Sequence, residues 1–197
     1  MSASPRLPEV LIRNALPSSN FLTVEGPEHD FARARYRILP VPYEASVSYG
    51  GGTRGGPAAI LDASSQIEFY DAELDLDPSR AGICTLPAVA PDVAGPEVMA
   101  HRLRAVAEAL RETGRIVIAL GGEHSITPPL ALPYLEDPDV WVLCIDAHAD
   151  PHFFKGIENK VAYPTRDLVA ACKRMDMLPV DIADTLRQYP LDAGCWS

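Results

Sequence analysis

An apolar run of strand length, Val140-Trp141-Val142-Leu143-Cys144-Ile145, ends directly in Asp146-Ala147-His148-Ala149-Asp150. No other feature constrains this chain as strongly. In extended backbone, residues i, i+2 and i+4 point to one face. Asp146, His148 and Asp150 would therefore converge on one cation where the backbone stays extended. Two carboxylates and an imidazole suit a hard or borderline divalent ion such as Mn²⁺ better than they suit a thiolate-type zinc site. The bland alternative is a strand-end loop of solvated acids with a chance histidine. Taken alone, the stretch leaves both readings open.

A second stretch has the same design. Gly114-Arg115-Ile116-Val117-Ile118-Ala119-Leu120 reads as a buried strand and runs into Gly121-Gly122-Glu123-His124-Ser125-Ile126-Thr127. The glycines allow a tight turn and close backbone approach. Ser125 or Thr127 is expected to cap a following helix. His124 then lies at the carboxyl end of a strand, as Asp146 does, and open α/β sheets bind ligands at that edge. The two positions are 22 residues apart (146 − 124), about the length of a strand–helix–strand unit. Two neighbouring parallel strands would bring His124, Asp146, His148 and Asp150 to one rim. The metal reading is favoured over a capping histidine beside an unrelated acidic loop.

These two motifs resemble the metal motifs of the ureohydrolase family, which includes arginase and agmatinase. A third segment, Pro42-Tyr43-Glu44-Ala45-Ser46-Val47-Ser48-Tyr49-Gly50-Gly51-Gly52-Thr53-Arg54-Gly55-Gly56-Pro57, is similar to the amino-terminal signature of agmatinase-like members, and Ala63 to Asp71 continues it. The resemblance covers about residues 34–150. It implies a three-layer α/β/α fold with a parallel sheet and a binuclear manganese centre. It also implies a bridging water that attacks a guanidinium carbon and releases urea. A guanidinium is a poor electrophile, so the nucleophile must be strong at neutral pH, and a bound metal lowers the pKa of water to about 7. Residue by residue, His124, Asp146, His148 and Asp150 correspond to metal ligands. Tyr43, Glu44 and Arg54 are candidates for the pocket rim, with fold-supporting loop contacts an equal alternative. His152, two residues past Asp150, is a further rim candidate.

The chain also departs from that family. Its members carry a third motif, a strand ending in Asp-x-Asp, and none of the later acids here, Glu158, Asp167, Asp176, Asp181, Asp184 and Asp192, stands in such a pair. Val169 to Arg174 has alanine where a family histidine is expected, so no catalytic residue is assigned. Two nearby divalent ions repel and need bridging carboxylates, so two manganese ions are implied by the family and one or none by these residues. The expected organisation is an amino-terminal loose arm over 1–33, a partial ureohydrolase-like α/β domain over 34–150 and a divergent helical tail over 151–197. The function implied is hydrolysis of agmatine, or a similar guanidino compound, to putrescine and urea. The alternative is an inactive, truncated relative that binds at most one metal or associates with a full-length subunit. A further alternative is a degraded or mispredicted product with no independent fold.

Composition narrows the partners. Net charge is −10, from 27 acids and 17 bases. No basic stripe is present to neutralise phosphates, which argues against nucleic acid. No apolar run reaches membrane-spanning length, and the amino terminus has no apolar signal core. The four cysteines, Cys84, Cys144, Cys172 and Cys195, show no CxxC spacing and read as reduced thiols. The expectation is a cytoplasmic protein acting on a small guanidino substrate, as a homo-oligomer or with a full-length relative.

Along the chain, strands are expected over 34–41 and 82–86, and a helix is expected to begin at Pro57. The clearest helix runs from Pro96 to Thr113, with Val98, Met99, Leu103, Val106, Ala107 and Leu110 at three- and four-residue steps. Gly114 is its expected stop. Pro128, Pro129 and Pro133 limit the next helix to a short piece. After Asp150 two short helices, over 166–175 and 180–187, and no further strand are expected. The sheet is expected to hold about four to six strands.

Overall fold

The computed structural model describes residues 6–47, 50–144 and 160–162. In chain order the elements are α1 (Glu9–Arg13), β1 (Ala15–Leu16), β2 (Tyr36–Val41), α2 (Gly56–Ser64), β3 (Ile83–Thr85), β4 (Ala88–Val89), α3 (Pro96–Arg111), β5 (Ile116–Gly121), α4 (Thr127–Ala131), β6 (Val142–Leu143) and β7 (Val161–Ala162). They divide into two compact units, Met1–Pro133 and Tyr134–Ser197.

In the first unit β2 is the centre of a parallel sheet ordered β3-β2-β5. The β2–β5 ladder runs from Tyr36↔Ile116 to Val41↔Gly121. β2 is buried along almost its whole length, as a strand covered on both faces must be. Alternation splits its side chains. Leu39 and Val41 join Leu86, Met99, Leu103, Val106 and Leu110 on the α3 side. Ile38 joins Val24, Leu61 and Ile83 on the α2 side. Helices on both faces make the three-layer α/β/α arrangement.

Pro40 lies inside this central strand, where a missing N–H normally costs a ladder bond. The register removes the conflict. The Ile38 carbonyl accepts from Leu86 N (2.8 Å), so even-numbered residues of β2 face the β3 side. β3 pairs only with Tyr36, Arg37 and Ile38. Pro40 therefore presents its nitrogen beyond the end of β3. Arg37 is fully buried near the start of the strand. Its guanidinium lies 3.7 Å from the Phe31 ring centroid. It donates to the Phe31 carbonyl (2.7 Å) and to Thr113 Oγ1 beyond the end of α3, where a cation suits the helix dipole.

α3 buries Met99, Leu103, Val106, Ala107 and Leu110, as the periodicity requires, but Val98 falls off that stripe and is exposed. Gly114, at φ 63°, ends the helix region, its N–H donating to the Arg111 carbonyl (3.0 Å). Pro57 sits in the first turn of α2, and the proline-rich α4 has only five residues. β5 is less covered than expected: Val117 and Leu120 pack on the two cores, while Ile116 and Ile118 are exposed.

The described residues of the expected arm, from 6 onward, pack against the rest of the unit. Leu11 of α1 is fully buried in the α3-side core, and β1 pairs antiparallel with β4. Ser18 Oγ donates to the Leu86 carbonyl, Phe21 N to Thr85 Oγ1 and Leu22 N to Ser64 Oγ, each at 2.8 Å. These partners lie 42 to 68 residues away, so local polarity and proline content could not reveal them.

In the second unit, β6 and β7 pair in parallel, Val142 opposite Val161 and Leu143 opposite Ala162. A strand therefore follows Asp150, against expectation; at two residues it is too short to leave a periodic signal. Lys160 Nζ donates to the carbonyls of Leu135 (2.7 Å) and Asp137 (2.8 Å), around the 3₁₀ turn Tyr134–Glu136. The helices expected over 166–175 and 180–187 lie outside the described residues. Among the described residues no helix is long and apolar enough to cross a membrane.

Candidate metal centre

The turn that follows β5 continues the sheet's hydrogen bonding past the strand ends. Gly122 N donates to the Val41 carbonyl (3.2 Å) and Glu123 N to the Tyr43 carbonyl (2.9 Å). The turn after β5 is thereby laid against the loop after β2. Only glycine fits the crossing point, because a Cβ on Gly122 would lie 1.9 Å from the Tyr43 carbonyl oxygen.

Glu123, 7% exposed, is the hub of this contact. One carboxylate oxygen accepts from the backbone N–H groups of Ala45 and Ser46, both at 2.6 Å. The other accepts from Ser46 Oγ (2.9 Å) and Ser125 Oγ (2.5 Å). Burial pushes the Glu123 carboxyl up, but the bonds from Ser125, Ser46 and Ala45 together outweigh it and hold the group below the usual carboxylate range. The expected cap is absent: Ser125 serves Glu123, and no side chain caps α4.

A second carboxylate closes the glycine-rich loop on itself. One oxygen of Glu44 accepts from Gly52 N (2.6 Å), Thr53 Oγ1 (2.8 Å) and Arg54 N (3.2 Å). The Thr53 hydroxyl and these amides lower its pKa. Glu44 and Arg54, expected at the rim, thus meet through the Arg54 backbone N–H. Tyr43, the third candidate in this loop, is 4% exposed and belongs to the α3-side core. Burial, then the charges of Glu123 and Asp92, raise its pKa.

His124 follows Glu123 at the carboxyl end of β5, half-buried. It lines a cleft of roughly 420 Å³ with Gly121, Gly122, Glu123, Ile126 and Thr127. Asp146, His148, Asp150 and His152 lie outside the described residues. Among the described residues no three His, Cys, Asp or Glu side chains form a group that could hold a metal. The structure thus places one of the four expected ligands. Sequence reading gave Glu123 no role, because its loop partners are 77 and 78 residues away.

The chain belongs to the arginase family: that family's sequence model matches residues 34–186. The match continues well past Asp150, through much of the tail in which no family motif was read. The N(1)-aminopropylagmatine ureohydrolase of Thermus thermophilus is 45% identical over 123 residues, 61% of this chain and 41% of that protein. The agmatinase of Pyrococcus horikoshii is 35% identical over 133 residues, 64% of this chain and 44% of that protein. The chain thus spans 41 to 44% of the length of these two curated relatives. Among solved structures, a hypothetical agmatinase from Burkholderia thailandensis superposes with TM-score 0.64 at 19% identity, covering 81% of this chain and 58% of that one. Proclavaminate amidino hydrolase from Streptomyces clavuligerus superposes with TM-score 0.63 at 19% identity, covering 89% and 71%. These likenesses establish an arginase-like α/β fold.

Proposed function

We propose that this chain acts in the metal-dependent hydrolysis of a guanidino compound to urea and an amine, with agmatine or an aminopropyl derivative of it as the substrate class. The observation that carries the reading is His124. It stands at the carboxyl end of a parallel strand, faces a cleft and sits in a turn fixed by its neighbours. The proposed ligands are His124, Asp146, His148 and Asp150. Two imidazoles and two carboxylates fit manganese by donor chemistry. Bound divalent cations would supply a water acidic enough to ionise near neutral pH.

The chain's own residues prepare the site. Gly122 lets the turn approach the loop after β2, and Glu123 holds Ser125 and Ser46 around the ligand-bearing turn. Glu44 keeps the glycine-rich loop closed. An overall charge of −10 favours a cationic substrate such as a guanidinium amine.

The test is manganese content by elemental analysis, with urea release from agmatine and from N(1)-aminopropylagmatine assayed on the same sample. Bound manganese together with urea release is the outcome expected of a ureohydrolase. One ion or none, without urea, would instead support a relative that binds at most one metal or works with a full-length subunit.

A further inference from the structure

We infer that Glu123 is a positioning residue that sets together the pose of His124 and the placement of Ala45 and Ser46 in the loop after β2. The inference rests on the reading of His124 as a metal ligand. Four donors converge on Glu123, two on each oxygen: two backbone amides of the loop, the hydroxyl of Ser46 in that loop and the hydroxyl of Ser125 in the turn. Only a carboxylate has two acceptor oxygens with enough lone pairs for such a set. Glutamine would keep one acceptor and aim an NH₂ at donors.

The bonds span the joint between the two segments. The carboxylate therefore ties the loop after β2 to the turn that carries His124, one residue away. The next link is in series: Ala45 and Ser46, held by Glu123, adjoin Glu44, whose carboxylate holds Gly52, Thr53 and Arg54. Gly56, at the far end of the loop, returns to the same place, since a Cβ there would lie 3.1 Å from the Gly121 carbonyl oxygen. The loop is thus pinned to the end of β5 at both ends, with Glu123 the polar pin. A residue that served only the core would not use its polar atoms in this way.

The test uses the whole chain, first free of metal, as wild type, E123Q and S46A. NMR at one pH reads the imidazole signals of His124 and His101 and the exchange rates of the backbone amides. In E123Q the amides of residues 45 and 46 should exchange at least tenfold faster, as expected when bonds to a charged acceptor are lost. The His124 ring signals should move, while His101 and the amides of α3 stay as they were. S46A keeps the charge and removes one donor, so it should move the same signals in the same direction by less. It also decides the matter if E123Q does not fold. Unchanged His124 signals in the folded variants, or unchanged exchange at 45 and 46, would overturn the proposal.

Mn²⁺ titration followed by electron paramagnetic resonance then addresses the metal. E123Q should bind at least tenfold more weakly than wild type, the order expected when a supporting residue is removed. Equal affinity would overturn the positioning role. A wild type that binds no Mn²⁺ would overturn the metal assignment of His124, while the metal-free measurements would still decide the pin.

Discussion

Single atoms decide much of the geometry around the turn after β5. Gly122 is the sharpest case, because its missing Cβ is replaced by a carbonyl oxygen of the neighbouring loop. Gly122→Ala must push the two segments apart and break at least one of the bonds that join them. We expect a loss of about 1–3 kcal/mol, typical of forced overpacking. At Gly55, φ is −79° and an added Cβ meets nothing within 4 Å, so Gly55→Ala should be neutral or stabilise by about 0.4–1 kcal/mol. Urea denaturation of the two variants measures the contrast, and equal effects would refute it. Glu44 gives a pH prediction. Its folded pKa is depressed, first by Thr53 and then by the amides of Gly52 and Arg54. A depressed carboxyl contributes stability that is present above its unfolded pKa, about 4.3, and lost as the pH falls through the folded value. The amide shifts of Gly52 and Arg54 should therefore titrate with a midpoint below the ordinary glutamate range. A midpoint at or above that range would show that the loop is not held this way.

Elements were legible where their cause was local. α3 was readable because its apolar residues repeat with the helical period and Gly114 stops it. The exposure of Val98 marks where that reading was too generous, since a stripe of finite width leaves out the residue beside it. Leu103→Ala should cost about 2–5 kcal/mol through a buried cavity, whereas Val98→Ala should stay within about 0.5 kcal/mol. Thermal unfolding of both variants checks this, and a comparable loss at Val98 would mean that the helix buries a different face. β2 was also readable, as a nearly continuous apolar run. The tolerance of Pro40 was not, because it depends on where β3 ends. The packing of α1 and β1 escaped for a related reason: five- and two-residue elements carry almost no periodic signal, and their partners are distant in sequence.

At the scale of the whole chain, the proposed ligands His124 and Asp146 carry a prediction. His124→Ala and Asp146→Ala should each weaken Mn²⁺ binding at least tenfold, and His101→Ala, on α3, should leave it unchanged. Calorimetric titration separates these outcomes, and equal loss in all three would reject the site. Membership of the arginase family was legible from three short motifs, because a glycine turn, a histidine and alternating carboxylates after apolar runs record chemistry in the order of the residues themselves. The α/β/α class was legible for the same kind of reason, as apolar runs and an amphipathic helix recur within short windows. By itself the sequence determined the strand β2, the helix α3 and which donor types follow the apolar runs. Only the tertiary structure decided that Tyr43 is core, that the amino-terminal segment is packed, and that Glu123 joins the histidine turn to the glycine-rich loop. Each of those facts depends on groups tens of residues apart meeting within hydrogen-bond or contact distance, and spacing along a chain carries no record of such meetings.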